Sequence, residues 1–239
     1  MNARIVVTLA LISDHSLAQS PPDRGEPLVS VREASILGVA ALGAAALVGA
    51  DRRIGAWTRE SSLQRNGAMR GTMTAARDFG DPGTLILGAA LWAGGELSGD
   101  RVVANDGVRA LESVALASTV TWLVKGTTGR ARPYASPADA RDFKWGRGFG
   151  HGGEFQSFPS GHTTAAFAFA SAITARVARR APGRAHWLGP ILYGAAALTG
   201  LSRMYDDKHW ASDVLLGAGI GTVSGLLLVR RLDRRSDAP

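Results

Sequence analysis

Six apolar blocks, built mainly from Ala, Leu, Gly and other small residues, occupy most of the chain between positions 34 and 229 and limit its folds more than any other feature. They run over 34–50, 83–97, 108–124, 163–177, 187–202 and 214–229. None alternates apolar and polar residues with the period of two that marks a half-buried strand. Ala and Leu favour helix, so the expected class is all-α, a six-helix bundle. Several blocks are apolar on every face, a pattern that only burial in a bundle or in lipid satisfies. Each is shorter than the roughly 20 residues of a free-standing span. Their Ala, Gly, Ser and Thr content nevertheless suits close helix–helix approach within a membrane. The expectation is a membrane-embedded bundle, with a soluble helical bundle as the alternative.

At 239 residues the chain has the length of one domain. The absence of Cys excludes a disulfide scaffold, thiol catalysis and thiolate metal sites. A net charge of +7 favours anionic partners: phosphates, lipid head groups or nucleic acid. The mean hydropathy of +0.04 lies between soluble and membrane proteins and does not decide between them. Residues 1–18 read as an export signal, with Arg4, a short apolar run and Ser16-Leu17-Ala18 as a cleavage site. A polar leader follows over 19–33, then a single helical domain over 34–229 and a basic tail over 230–239. Between the first two blocks, 51–81 interleaves arginines with Trp57, Leu63, Met69, Met73 and Phe79. It reads either as an interfacial segment on anionic lipid or as a solvated connector.

Polar residues concentrate in three clusters, each at the end of an apolar block. Lys125 and Arg132, seven apart across small residues, can turn toward one anion, Arg as a planar fork and Lys as a point charge. Membrane-edge anchoring is the alternative. Phe158-Pro159-Ser160-Gly161-His162 opens the fourth block. Ser160 suits an N-cap, and a helix N-terminus offers unpaired N–H groups to an anion. The third cluster runs from Ser202 to Asp213. With a helix starting near His209, Asp213 lies one turn on along the same face. Asp213 can then hold the proton on one ring nitrogen and leave the other free as nucleophile or base. Arg203 adds another fork. If every block crosses the bundle, parity brings all three clusters and the loop 51–82 to one end, and a phosphate-transferring site is expected there.

These three motifs resemble the signature of the type 2 phosphatidic acid phosphatases, which share a superfamily with bacterial acid phosphatases and vanadium haloperoxidases. The signature reads Lys-x6-Arg-Pro, Pro-Ser-Gly-His and Ser-Arg-x5-His-x3-Asp. Here it falls on Lys125 to Pro133, Pro159 to His162, and Ser202 to Asp213, with every position intact. The resemblance implies that Lys125, Arg132, Arg203, Ser160 and the Gly161 N–H bind the phosphate. It implies His209 as the nucleophile, forming a phosphohistidine, Asp213 as its partner and His162 as the acid for the leaving group. It implies no metal and no other cofactor. The expected partners are a phosphorylated lipid substrate and membrane lipids, not nucleic acid. Trp57, Trp92, Trp122, Trp187 and Trp210 near block ends suit a bilayer, and Trp145 with the loop 146–153 could shape an entrance. His151 and Glu154 match no motif position and stay loop residues. A soluble periplasmic acid phosphatase, a vanadium haloperoxidase and a non-catalytic scaffold are the rival readings. The resemblance places the active site on the periplasmic face of the inner membrane. A cleaved signal followed by six spans would place it in the cytoplasm instead.

Overall fold

The computed structural model describes residues 27–150 and 152–236. The expected export signal over 1–18 lies outside them, as does His151. Among the described residues there is no strand. Six long helices carry the six blocks: α1 (Val31–Leu47), α5 (Thr84–Ser98), α6 (Arg101–Thr128), α8 (Gly161–Arg180), α9 (Pro182–Tyr205) and α10 (Ala211–Ser236). The connector after α1 is helical too, as α2 (Asp51–Thr58), α3 (Ser61–Arg65), α4 (Gly67–Asp78) and a π-helical turn at Phe79–Gly83. A short α7 (Arg147–Gly150) lies in the long loop before α8.

Helices α6, α8, α9 and α10 run for 28, 20, 24 and 26 residues, longer than the apolar blocks they contain. Their polar ends are helical because caps and ion pairs support them. Asp100 caps the first turn of α6 through Val102 and Val103. The segment expected as a basic tail continues α10 to Ser236, and Arg230 pairs with Glu33 at 2.8 Å. Glu33 also closes a capping box with Ser30, so α1 starts at Val31, inside the expected leader.

Helix α8 sits at the centre, packed against α6, α9 and α10. Ala110, Val114 and Ala117 of α6 meet Ala165, Ala168, Phe169 and Ile173 of α8, with Phe79, Leu188 and Leu192 closing the cluster. Burying one side chain the size of Phe169 contributes about 1.5–3 kcal/mol. Small residues set the spacing between α8 and α10. A Cβ on Gly221 would stand 2.3 Å from the Thr164 carbonyl oxygen, and one on Gly225 would stand 2.2 Å from the Ser171 hydroxyl. This is the close backbone approach that small-residue seams permit.

Among the described residues one helix, over Ala211–Leu232, is long and apolar enough to cross a membrane by itself. Helix α1 with α2 and α3 meets the same measure as a pair bent by 78°. That bend turns Asp51 under the start of α10, where Ser212 N–H donates to its carboxylate at 3.0 Å. Arg59 then pairs with Asp207 at 2.6 Å, and Gln64 donates to the Tyr205 carbonyl at 3.0 Å. The connector read as interfacial or solvated is thus docked on the loop between α9 and α10.

Candidate active site

The site is built where α6 and α9 end and α8 and α10 begin. Helix α6 stops at Gly129, whose φ of +53° is the left-handed geometry that glycine adopts without strain. Lys125, on the last turn, donates through Nζ to the Gln156 carbonyl at 2.5 Å. The chain then doubles back, so that 130–132 lies beside 154–157. Arg132 N–H donates to the Glu154 carbonyl at 2.8 Å, and Ser157 N–H donates to the Arg130 carbonyl at 3.1 Å. Glu154 therefore supports Arg132 through its backbone. Trp145 is exposed, while Phe149 of α7 packs edge-on against Trp122.

Ser160 occupies the N-cap position of α8, but its side chain does not cap the helix. Its hydroxyl accepts from the Thr163 hydroxyl at 2.8 Å, and its own N–H donates to the Asp213 carbonyl at 3.0 Å. The first turn of α8 keeps N–H groups and the positive end of the helix dipole for an anion. A Cβ on Gly161 would lie 3.7 Å from the Lys125 side chain, which brings the first two motifs together. His162 is the second residue of the helix. Its Cβ stands 3.2 Å from where a Cβ on Gly80 would be. Arg203, Asp81, Lys125 and Arg132 all act on its ring electrostatically.

Arg203 closes α9, nearly buried, with one Nη donating to Asp206 at 2.8 Å. Nε of Arg203 and Nε of Arg132 are buried and have no hydrogen-bond partner within the chain. Buried donors without partners are costly, and an oxyanion held between the two guanidinium groups would satisfy them. Arg132 and Arg203 also act on each other electrostatically.

His209 lies in the loop, two residues before α10 starts at Ala211, so it is not itself helical. Its Nδ1 stands 2.7 Å from the Ser157 carbonyl oxygen and 3.5 Å from Asp213 Oδ2. The sequence reading has Asp213 as the proton's partner; here the carbonyl is the tighter one. A carbonyl can only accept, so Nδ1 carries the hydrogen and Nε2 of the neutral ring is bare. Burial lowers the His209 pKa to about 3, with nearby Lys125 adding to the fall and Asp213 opposing it. The ring is therefore neutral at ordinary pH. Asp213 is fully buried and accepts through Oδ2 from the Ser157 hydroxyl at 2.5 Å and from Trp210 N–H at 2.8 Å.

The eight residues singled out from the sequence thus lie at one end of the bundle. Four others that the sequence reading did not select line the same place: Asp51, Arg130, Ser157 and Ser212. Arg130 stood inside the first motif as one of its unspecified positions, and Asp51 stood at the edge of a segment read as basic. An acidic residue directly after an apolar block, and a second arginine two before Arg132, were the available signals. Trp210 also differs from expectation. It is buried, donates Nε1–H to the Ala131 carbonyl at 3.0 Å and covers Arg130, so it is no membrane-edge residue. Trp57, Trp92, Trp122 and Trp187 are exposed. Among the described residues no group of His, Asp and Glu is placed to hold a metal ion.

A family model described as the PAP2 superfamily matches residues 106–237, more than half of the chain. A lipid A 1-phosphatase of Porphyromonas gingivalis is 39% identical over 89 residues, 37% of this chain and 19% of the relative. The chain thus spans about a fifth of the length of that curated relative. A transmembrane PAP2-type phosphatidylglycerolphosphate phosphatase from Bacillus subtilis superposes with a TM-score of 0.66 at 23% identity, covering 86% of this chain and 98% of that one. Aquifex aeolicus LpxE superposes with a TM-score of 0.51 at 20% identity, over 70% of this chain and 88% of that one.

Proposed function

The chain belongs to the PAP2 superfamily, and from that premise we propose that it is a metal-independent phosphatase hydrolysing a lipid phosphate monoester or diphosphate through a phosphohistidine. The observation that carries the reading is His209: a neutral ring with Nδ1–H bound to a carbonyl, and a bare Nε2 beside Lys125 and Arg132.

The phosphoryl oxygens are held by Lys125, Arg132 and Arg203, with the Ser160 hydroxyl and the Gly161 N–H completing the cradle. Such donors act on charge spread over the transferring group and are already in place when it develops. Nε2 of His209 attacks phosphorus and the N–P bond forms as the P–O bond to the lipid breaks. His162, which takes up a proton as the anionic substrate binds, gives that proton to the leaving oxygen. Water then attacks phosphorus, loses a proton to His162 and breaks the N–P bond, returning neutral His209 and inorganic phosphate. Asp213 offsets the positive charge on the ring while it carries the phosphoryl group.

A lipid substrate is supported by apolar side chains that α1, α5 and α9 leave exposed, among them Val39, Leu42, Ile86, Trp187 and Ile191. Large apolar side chains exposed on three helices suit contact with lipid. The resemblance to type 2 phosphatidic acid phosphatases supports the inner membrane, with the catalytic end on its periplasmic side. Purified protein in EDTA should release phosphate from detergent-dispersed phosphatidic acid faster than from a soluble aryl phosphate, and His209→Ala should release none. Faster turnover of the aryl phosphate would favour a soluble acid phosphatase. Release that requires added metal would reject the mechanism.

A further inference from the structure

Arg130 is fully buried, and each of its five N–H bonds has an acceptor. Nε and one Nη2 hydrogen go to the Ala140 carbonyl at 3.1 and 2.6 Å. The other Nη2 hydrogen goes to Asp51 Oδ2 at 2.7 Å. Nη1 donates to Asp213 Oδ1 at 2.5 Å and to the Ser212 hydroxyl at 2.7 Å. Asp51, also fully buried, accepts from the Ser212 hydroxyl at 2.5 Å and from its N–H at 3.0 Å. Phe143, Phe158 and Trp210 cover the guanidinium, their ring centroids 4.8, 5.7 and 5.7 Å from its central carbon. One guanidinium thus lies between two carboxylates in a dry enclosure, and one of those carboxylates is the partner of His209.

Stability alone does not account for this arrangement. Replacing a buried ion triad by apolar residues of similar volume is often neutral or stabilising. The sum of charges offers a reason. Two carboxylates and one guanidinium leave one net negative charge directly behind His209, opposite the cations that face it. When Nε2 takes the phosphoryl group while Nδ1 keeps its hydrogen, the ring becomes cationic among Lys125, Arg132 and Arg203. We propose that Asp51 and Arg130 are positioning residues for this reaction: Arg130 holds Asp213 in a single orientation, and Asp51 balances Arg130 so that the negative charge of Asp213 is left to steady the phosphorylated His209 ring. This rests on the phosphohistidine reading. Arg130 fixes where the Asp213 carboxylate points, and Asp51 prevents Arg130 from neutralising it.

Asp51→Asn and Arg130→Lys test the proposal in full-length, detergent-purified protein. Turnover of phosphatidic acid should fall by about 10- to 100-fold, the size of effect that outer partners of a functional histidine carry. The loss should appear in kcat with KM held, because neither residue reaches the phosphate. In ¹⁵N spectra of histidine-labelled protein, His209 of the wild type should show the tautomer with bare Nε2, and both variants should show a shifted or mixed ring. Wild-type kcat and unchanged His209 resonances in folded variants would overturn the proposal. So would an activity loss no larger than the loss of folded protein, or failure of both variants to fold, because the triad would then be a folding element. If the wild type releases no phosphate from any ester, the phosphatase reading fails, while the His209 spectra still report whether Asp51 and Arg130 position the ring.

Discussion

Each end of the bundle buries an aspartate against arginine, and the two ends treat that charge differently. At the end that holds the candidate site Asp51, Arg130 and Asp213 are wholly enclosed, with every guanidinium hydrogen used. At the opposite end Asp106 of α6 accepts from Arg176 at 2.7 Å and from Arg180, both on the last turns of α8. Those arginine side chains remain 17% and 37% exposed, so their charge is shared with the surroundings. An enclosed network fixes orientation and potential, whereas an open one fastens two helices and tolerates change. Chemistry that depends on the direction of a ring nitrogen belongs with the first.

The difference between the ends can be tested, and the largest effect is expected from His209→Ala. Turnover should fall by about 10⁴-fold or more, as for loss of other covalent nucleophiles, measured as phosphate release with folding checked by circular dichroism. Arg203→Ala should cost about 2–4 kcal/mol in kcat/KM, like removal of other donors to a transferring group. The acid sensitivity of the catalytic end follows from His209. Its folded pKa lies near 3 and its unfolded value near 6.5, so below about pH 6.5 the unfolded chain takes up a proton that the folded chain refuses. Stability from this group is complete above that pH and falls as pH drops toward 3. Thermal midpoints at pH 7 and pH 4 should therefore differ more for the wild type than for His209→Asn. Asp106→Asn should have the smallest effect, leaving kcat unchanged and costing about 1–2 kcal/mol of stability, since its arginines can turn to solvent. A kcat loss in Asp106→Asn would mean that the two ends are coupled.

The fold was legible in the sequence as far as periodicity reaches. Blocks at 163–177 and 187–202 became α8 and α9 because nothing but helix accommodates their composition, yet the helices extend past them. Their outer turns are stabilised by caps and ion pairs that apolar patterning does not register, as with Arg230 and Glu33. Residues of the site with short spacing, such as His209 and Asp213, could be read because four positions keep them close, although His209 lies in the loop before α10 rather than on its first turn. Asp51 could not, because only the 78° bend after α1 brings it to Ser212. The closest acceptor for the His209 ring was equally hidden: it is the backbone carbonyl of Ser157, and any residue at that position supplies one.

The tie between Asp51 and Ser212 joins positions 161 residues apart, and it has a consequence for synthesis. Contacts of such separation form late, after the entropy of closing the intervening chain has been met. The strand of polypeptide emerging from the ribosome carries Lys125, Arg132 and His162 well before His209 and Asp213 exist. Until the first turn of α10 has been made, Arg130 lacks Asp213 and Asp51 lacks Ser212, so the network is incomplete. The candidate site is therefore completed only when α10 docks against α8 and the connector after α1.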